Sequence, residues 1–337
     1  MVEREQTRAM CQWRLRTRTL ELGRRTLVMG VVNITPDSFS DGGSFLDPDA
    51  AVTHGLKLLD EGADLLDLGA ESTRPGSHPI DVDLSTPPQE VMTTSWGPLS
   101  MGTPGSRAGA DSLVSVDEEQ ARLLPVLEGV LKARPDAVVS VDTYKAATAR
   151  VALAAGAEII NDVSGFCWDA EMARACAEAR CGVVLMHTRG KPDEWAAQAR
   201  LGADEVIATV RAGLAASLET AAKAGIAAEA VVLDPGYGFG KKFEENYALL
   251  ARQAELLALG RPLLAGVSRK SFLGKTLASL FGGKSAPVDA RETASVAAMV
   301  AAILHGASVV RVHAVRAAVE AARIADAISE LGTGTRE

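Results

Sequence analysis

Cysteine is scarce in this chain of 337 residues. The four present are Cys11, Cys167, Cys176 and Cys181, and none forms C-x-x-C or stands at metal-ligand spacing to a histidine. That excludes a disulfide scaffold and a cysteine-built zinc site, and it fits scattered thiols in a reducing cytoplasm. Long apolar runs are also missing, since none approaches the ~18–20 residues of a membrane span. Positive charge is in deficit: 35 Lys+Arg face 43 Asp+Glu, a net −8. General nucleic-acid binding, which needs a phosphate-neutralising basic surface, is disfavoured. No H-E-x-x-H, G-x-x-x-x-G-K-[ST] or G-x-G-x-x-G occurs, so zinc-protease and nucleotide-loop readings fail.

What is present is globular, with 47% apolar and 23% charged residues. Arg4, Arg8, Arg14, Arg16 and Arg18 crowd the start without an apolar core, so they do not make a secretory signal. Glu3, Glu5 and the alternation that follows also argue against a transit peptide. Trp13, Leu15, Thr17 and Thr19 alternate with Gln12, Arg14, Arg16 and Arg18, the period of a half-exposed strand. Leu22-Gly23 can turn it into the apolar run from Leu27, which predicts an N-terminal β-hairpin leading into the first core strand.

From there one grammar repeats: a short β-branched run, a polar loop, a helical stretch. Strands are expected at 27–32, 64–68, 138–141, 158–160, 182–186, 230–233, 262–267 and 308–312. Helices are expected near 48–61, 116–132, 145–155, 169–179, 204–224, 244–258, 289–305 and 314–331. In the last, Val315, Val319, Ile324, Ile328 and Leu331 read as one buried face. Gly62, Gly156, Gly225 and Gly306 fall where helix C-caps belong. Eight strand–helix units predict an α/β fold, a (β/α)8 barrel forming a single domain over 1–337. A doubly wound sheet stays open, because local pattern cannot show closure. Between the second strand and the second helix lies 83–112, where 17 of 30 residues are Ser, Thr, Pro or Gly. It reads as a long flexible loop insertion.

Polar residues collect at the C-terminal ends of the strands. They are N-I-T-P-D-S-F-S-D-G-G from Asn33, D-L-G-A-E-S-T-R-P-G from Asp67, V-D-T ending at Thr143, and N-D-V-S-G from Asn161. Then come L-M-H ending at His187, L-D-P-G-Y-G-F-G-K from Leu233, S-R-K-S from Ser268, and R-V-H ending at His313. In a barrel these ends share one mouth, the active-site face. Any one Asp, Asn or Ser here reads first as the N-cap of the next helix. Asp67, Asp142, Asn161 and Asp234 at equivalent points in four units, beside Lys270 and Arg311, point further. Asp142, Asn161 and Asp234 can accept from a planar heterocycle rich in N–H groups, and Lys270 can donate to its carbonyl or ring nitrogen. Ser72, Thr73, Arg74, Arg311 and His313, with the neutral oxygen of Asn33, suit a diphosphate with Mg2+. His187 either lines the pocket or orients its loop. His305 suits the last turn of its helix, and His54 an exposed helix face.

V-M-G-V-V-N-I-T-P-D-S-F-S-D-G-G, E-S-T-R-P-G, L-D-P-G-Y-G-F-G-K and S-R-K-S-F-L-G occur together and in order. By these motifs the chain resembles the dihydropteroate synthase family, from about Trp13 to the final helix. The resemblance implies a (β/α)8 barrel. It also implies an activity: 6-hydroxymethyl-7,8-dihydropterin diphosphate and p-aminobenzoate condense to 7,8-dihydropteroate and diphosphate. Thr73, Asp142, Asn161, Met186, Asp234 and Lys270 are then the pterin pocket. Asn33 places Mg2+ and, with Ser72, Arg311 and His313, holds diphosphate. Phe39, Ser40, Thr73, Arg74, Phe239 and Ser271 form the p-aminobenzoate site. No residue is assigned as general base, and a homodimer is the family habit. Two departures stand out: Ala314 replaces an acid common after the last histidine, and 83–112 replaces a short link. The pterin-binding barrel of corrinoid methyltransferases shares the Asp-Asn-Asp pocket, but not 33–43 or 268–271 in this form. A non-catalytic paralogue has only Ala314 and the insertion in its favour.

Overall fold

The computed structural model describes residues 8–35, 47–71 and 114–332. The 83–112 stretch lies outside the described residues. Two short strands come first, β1 (Cys11–Arg14) and β2 (Thr19–Leu22), paired antiparallel. The barrel strands are β3 (Leu27–Asn33), β4 (Leu65–Gly69), β5 (Val139–Asp142), β6 (Ile159–Asp162), β7 (Gly182–Met186), β8 (Val231–Asp234), β9 (Leu263–Ala265) and β10 (Ala307–Val312). They close in the order β10-β3-β4-β5-β6-β7-β8-β9, all parallel, so the doubly wound alternative falls away. The helices outside them are α1 (Pro48–Asp60), α2 (Val116–Ala133), α3 (Ala146–Ala154), α4 (Met172–Ala179), α5 (Ala203–Lys223), α6 (Phe243–Ala251), α7 (Ser271–Thr276), α8 (Glu292–Leu304) and α9 (Val315–Gly332). Among the described residues no helix is long and apolar enough to cross a membrane.

All eight expected strands are present. Gly62, Gly156, Gly225 and Gly306 each take positive φ one or two residues past a helix, as their positions predicted. Helix α7 was not foreseen. It has only six residues, too short for a period to show, and Phe272 and Leu273 bury it. The hairpin differs from its expected form. The chain reverses at 15–18, where Leu15 N–H donates to the Arg18 carbonyl at 2.8 Å, and β2 does not pair with the barrel. The period-two run spans the turn, so alternation alone hid the break.

The face expected on α9 holds only at its start, where Val315 is buried and Val319 packs against the core, and fails beyond it. Ile324, Ile328 and Leu331 are exposed by 65%, 51% and 86%, while Val315, Ala318, Ala322 and Ala325 are buried. The shell packs this helix through alanines, spaced three and four apart, and the bulky residues are turned outward. Asp326 ties the same helix inward, to Arg8 at 2.5 Å and to Thr26 N–H at 2.8 Å. His54 is half-buried rather than exposed, and burial lowers its pKa.

The hairpin plugs the N-terminal end of the barrel. Trp13, Leu15 and Leu22 join Leu27, Met29, Leu65, Val138, Ile159, Val184, Val232, Leu264 and Val309 in one interior cluster. The Trp13 indole N–H donates to the Ala230 carbonyl at 3.0 Å. Thr17 N–H donates to Glu158 at 2.9 Å and Arg18 to the Asp136 carbonyl at 2.8 Å, both at strand entrances. A second, larger cluster fills the space between strands and helices. Trp13→Ala removes a fully buried ring from this interior layer. It should cost about 3–5 kcal/mol, read as a lower midpoint in urea unfolding. Ligand affinity at the opposite mouth should be unchanged.

Candidate active site

The interior cluster sets the parity of each strand. Side chains two residues further along point the same way. From Leu65 that reaches Asp67, from Val138 it reaches Ser140 and Asp142, and from Ile159 it reaches Asn161. From Val184 it reaches Met186, from Val232 Asp234, from Val309 Arg311 and then His313, and from Met29 Val31 and then Asn33. A greasy floor thus becomes a polar mouth one or two layers up.

Asp67 is the centre of that mouth and is fully buried. Its Oδ1 accepts from Ser140 Oγ at 2.7 Å. Its Oδ2 accepts from Asn161 Nδ2 at 3.0 Å and from Arg311 Nε at 2.6 Å. A carboxylate only accepts, so it holds the Asn161 amide with NH2 toward itself and leaves Oδ1 as an acceptor on the other side. Arg311 reaches on to Asp142 through Nη2 at 2.8 Å. Sequence reasoning placed Asp67 beside the pocket without giving it a role, although its parity with Leu65 was the available signal. Asp162, next to Asn161, spends both oxygens on the N–H groups of Ser164 and Phe166, which is the turn-forming role.

The other expected pterin residues converge here. Asp142 pairs in register with Asn161, and Met186 with Asp234. Asp234 is buried, and its Oδ1 accepts from Gly236 N–H at 2.7 Å. Lys270 stands at the entrance to α7 with Nζ 4.0 Å from the centre of the Phe239 ring, and its charge acts on both Asp142 and Asp234. Met186 packs with Tyr144 and Val163, against Trp168 and Phe239, a wall that sequence reasoning missed apart from Met186 and Phe239. Asn33 ends β3 half-buried, and Ser271 is the exposed first residue of α7. His313 Nδ1 lies 2.9 Å from Ser268 Oγ, a partner that was not predicted. Phe39, Ser40, Ser72, Thr73 and Arg74 lie outside the described residues.

Burial dominates the acids. It pushes the Asp142 carboxyl up to about 7, with Asp67 and Glu119 adding to the rise and Arg311 and Lys270 opposing it. Asp234 is raised for the same reason, against its bond from Gly236 and the charges of Lys270, Lys241 and Arg311. Opposite them, burial lowers His187 well below its usual range, and its Nδ1 has no partner among the described residues.

A closed barrel whose mouth sets two acids and an amide oxygen beside Lys270 and Arg311 is an enzyme of the pterin-binding class. The sequence matches the profile of that family, described as "Pterin binding enzyme", over 29–86 and 100–313. The unmatched 87–99 fall inside the stretch read as an insertion. A dihydropteroate synthase of Mycobacterium leprae is 42% identical, over 89% of this chain and 92% of that one. That of Escherichia coli is 36% identical, over 89% and 90%. Among solved structures, the Yersinia pestis dihydropteroate synthase in a sulfonamide complex superposes with TM-score 0.77 at 35% identity, covering 95% and 99%. The Xanthomonas albilineans enzyme with 7,8-dihydropteroate gives 0.72 at 36%, covering 94% and 98%. The chain belongs to the dihydropteroate synthase family, enzymes of folate synthesis.

The raised Asp142 has a measurable consequence. A ligand presenting N–H donors prefers the carboxylate, which dominates above the pKa. Pterin affinity should therefore strengthen as pH rises through about 7. Asp142→Asn cannot titrate, so calorimetry on that variant should find this step gone.

Proposed function

We propose that this chain condenses 6-hydroxymethyl-7,8-dihydropterin diphosphate with p-aminobenzoate, releasing diphosphate and 7,8-dihydropteroate. The observation that carries the reading is the acceptor set of Asp142, Asn161 and Asp234 at one mouth, the first two tied through Asp67 and Arg311, the third held by Gly236 N–H, and all faced by Lys270. These three accept from the amino and ring N–H edge of the pterin, and Lys270 donates to its carbonyl or ring nitrogen. Met186 and Thr73 complete that pocket. Arg311, His313, Asn33 and Ser72 hold the diphosphate, and Phe39, Ser40, Thr73, Arg74, Phe239 and Ser271 hold p-aminobenzoate.

The chemistry asks for leaving-group stabilisation more than for a base. Arg311 and His313 neutralise charge that develops on the departing oxygens. The exocyclic carbon is left cation-like, stabilised by the electron-rich ring. An aromatic amine is uncharged and attacks without a strong general base, so none is assigned. Exclusion of water protects the cation until attack.

Mg2+ fits this arrangement in one form only. Asn33 offers a single neutral oxygen, and no group of three His, Cys, Asp or Glu among the described residues could cage an ion. Asn33 would hold such an ion only through one neutral oxygen, which suits a cation that keeps most of its waters. When bound it supplies charge neutralisation to the leaving group. A homodimer is part of the reading, supported by Ile324, Ile328 and Leu331 exposed along one side of α9. A cytoplasmic setting is supported by the four free thiols.

Diphosphate release that requires p-aminobenzoate is the deciding assay. Release without it, or none, would favour the methyltransferase-like or non-catalytic readings. Two variants separate the clusters. Asn33→Ala should slow turnover and raise the Mg2+ requirement, while pterin lacking diphosphate binds normally. Asp234→Asn should fold yet lose pterin affinity roughly ten- to a hundredfold, because a charged hydrogen bond is worth about 1.5–3 kcal/mol. Unchanged pterin affinity in folded Asp234→Asn would remove Asp234 from the pocket floor.

A further inference from the structure

The turn after β8 carries two site residues, Asp234 at its base and Phe239 near its tip, and its backbone follows an unusual path. Gly236, Gly238 and Gly240 take φ of +71°, +86° and +69°. A Cβ at Gly236 would stand 2.0 Å from the His187 carbonyl oxygen, so the turn presses against the exit of β7. Its N–H groups are satisfied from the protein side. Gly236 donates to Asp234 Oδ1 and Gly238 to Asn246 Oδ1, each at 2.7 Å.

Its carbonyls converge on one cation. Lys241 Nζ lies 2.7 Å from the Gly236 oxygen, 3.2 Å from that of Phe239 and 3.0 Å from that of His187. An ammonium has three donors, and here all three go to backbone carbonyls. No carboxylate touches it among the described residues. The Phe239 ring lies under Lys270 at 4.0 Å and edge-on to Trp195 at 5.3 Å.

We infer that Lys241 is a positioning residue for p-aminobenzoate, holding the 236–239 turn so that Phe239 stands against its ring. The inference rests on the synthase reading above. It differs from a general stabilising role because the two ends of the turn are held unequally. Asp234 is part of β8, kept in register by the ladder to Met186. Phe239 has no ladder, and its own carbonyl is one of the three on Lys241. Losing the ammonium therefore moves Phe239 first and Asp234 last.

The charge on Lys241 is itself marginal. Burial lowers its pKa to about 7. Asp234 and Glu245 favour the charged form, Lys270 and Arg189 oppose it, and the His187 imidazole facing it is buried and neutral. A neutral amine has only two donors, so at least one carbonyl is released as pH rises through this range.

The test compares wild type, Lys241→Met, Phe239→Ala and the double variant. It measures the p-aminobenzoate KM at saturating pterin diphosphate, and pterin affinity by calorimetry. Lys241→Met should raise KM about tenfold and move pterin affinity by less than about threefold. In the Phe239→Ala background the same change should add almost nothing, since both act through one ring. For wild type, KM should rise between about pH 6 and 8.5 as the amine deprotonates. That profile decides the matter if Lys241→Met does not fold. An unmoved KM, effects that multiply in the double variant, an equal loss of pterin affinity, or a flat wild-type profile would each overturn the inference while leaving the synthase reading intact. Wild type without p-aminobenzoate-dependent diphosphate release would overturn both.

Discussion

The site depends on one ion pair inside the barrel, Asp67 with Arg311. Asp67 is fully buried, and a lone carboxylate there would be prohibitively costly to desolvate. It is tolerated because Ser140, Asn161 and Arg311, from three different strands, all donate to it. Each of those donors is fixed in return. Asn161 receives its amide orientation, and Arg311 is drawn across the mouth to reach Asp142. Removing Asp67 would therefore do more than delete one bond. It would leave a buried guanidinium half-paired and an amide free to turn.

The molecule separates stability from chemistry along the barrel axis. At the strand entrances the hairpin and the interior apolar layer form a plug, with Glu158 and backbone carbonyls tying the hairpin to the barrel. At the strand exits the same inward parity delivers acids and cations into a space of low polarisability. There Asp142, Asp234 and Lys241 all shift toward their neutral forms, because burial is the first cause in each case. In its ionised form Asp142 can accept from the N–H groups of a heterocycle, while Arg311 stays charged at the same mouth. Asp142 and Lys241, both moved to about 7, make this mouth sensitive to pH near neutrality.

Much of the barrel was legible along the chain. Strand runs such as 182–186 declare themselves because a buried parallel strand is apolar at every position, and glycines such as Gly62 mark helix ends because few other residues accept positive φ. Legibility failed where the pattern was short or shared. Helix α7 is a turn and a half, the hairpin reversal sits inside an uninterrupted alternation, and on α9 small alanines took the buried face that larger residues seemed to claim.

The sequence by itself determined the repeating unit, the strand ends at which Asp142, Asn161, Asp234, Lys270 and Arg311 collect, and the family to which the motifs belong. Those features are local: each is written within a few consecutive residues. Only the tertiary structure decided which of these groups meet at one mouth and which hold one another. Asp67 and Arg311 are 244 positions apart, Lys241 gathers carbonyls from two strand exits, and Ser268 meets His313 across 45 residues. Closure of the barrel brings such pairs within hydrogen-bond reach. Hydrogen bonds act over about 3 Å, so partnership follows from proximity in space, which no local pattern encodes.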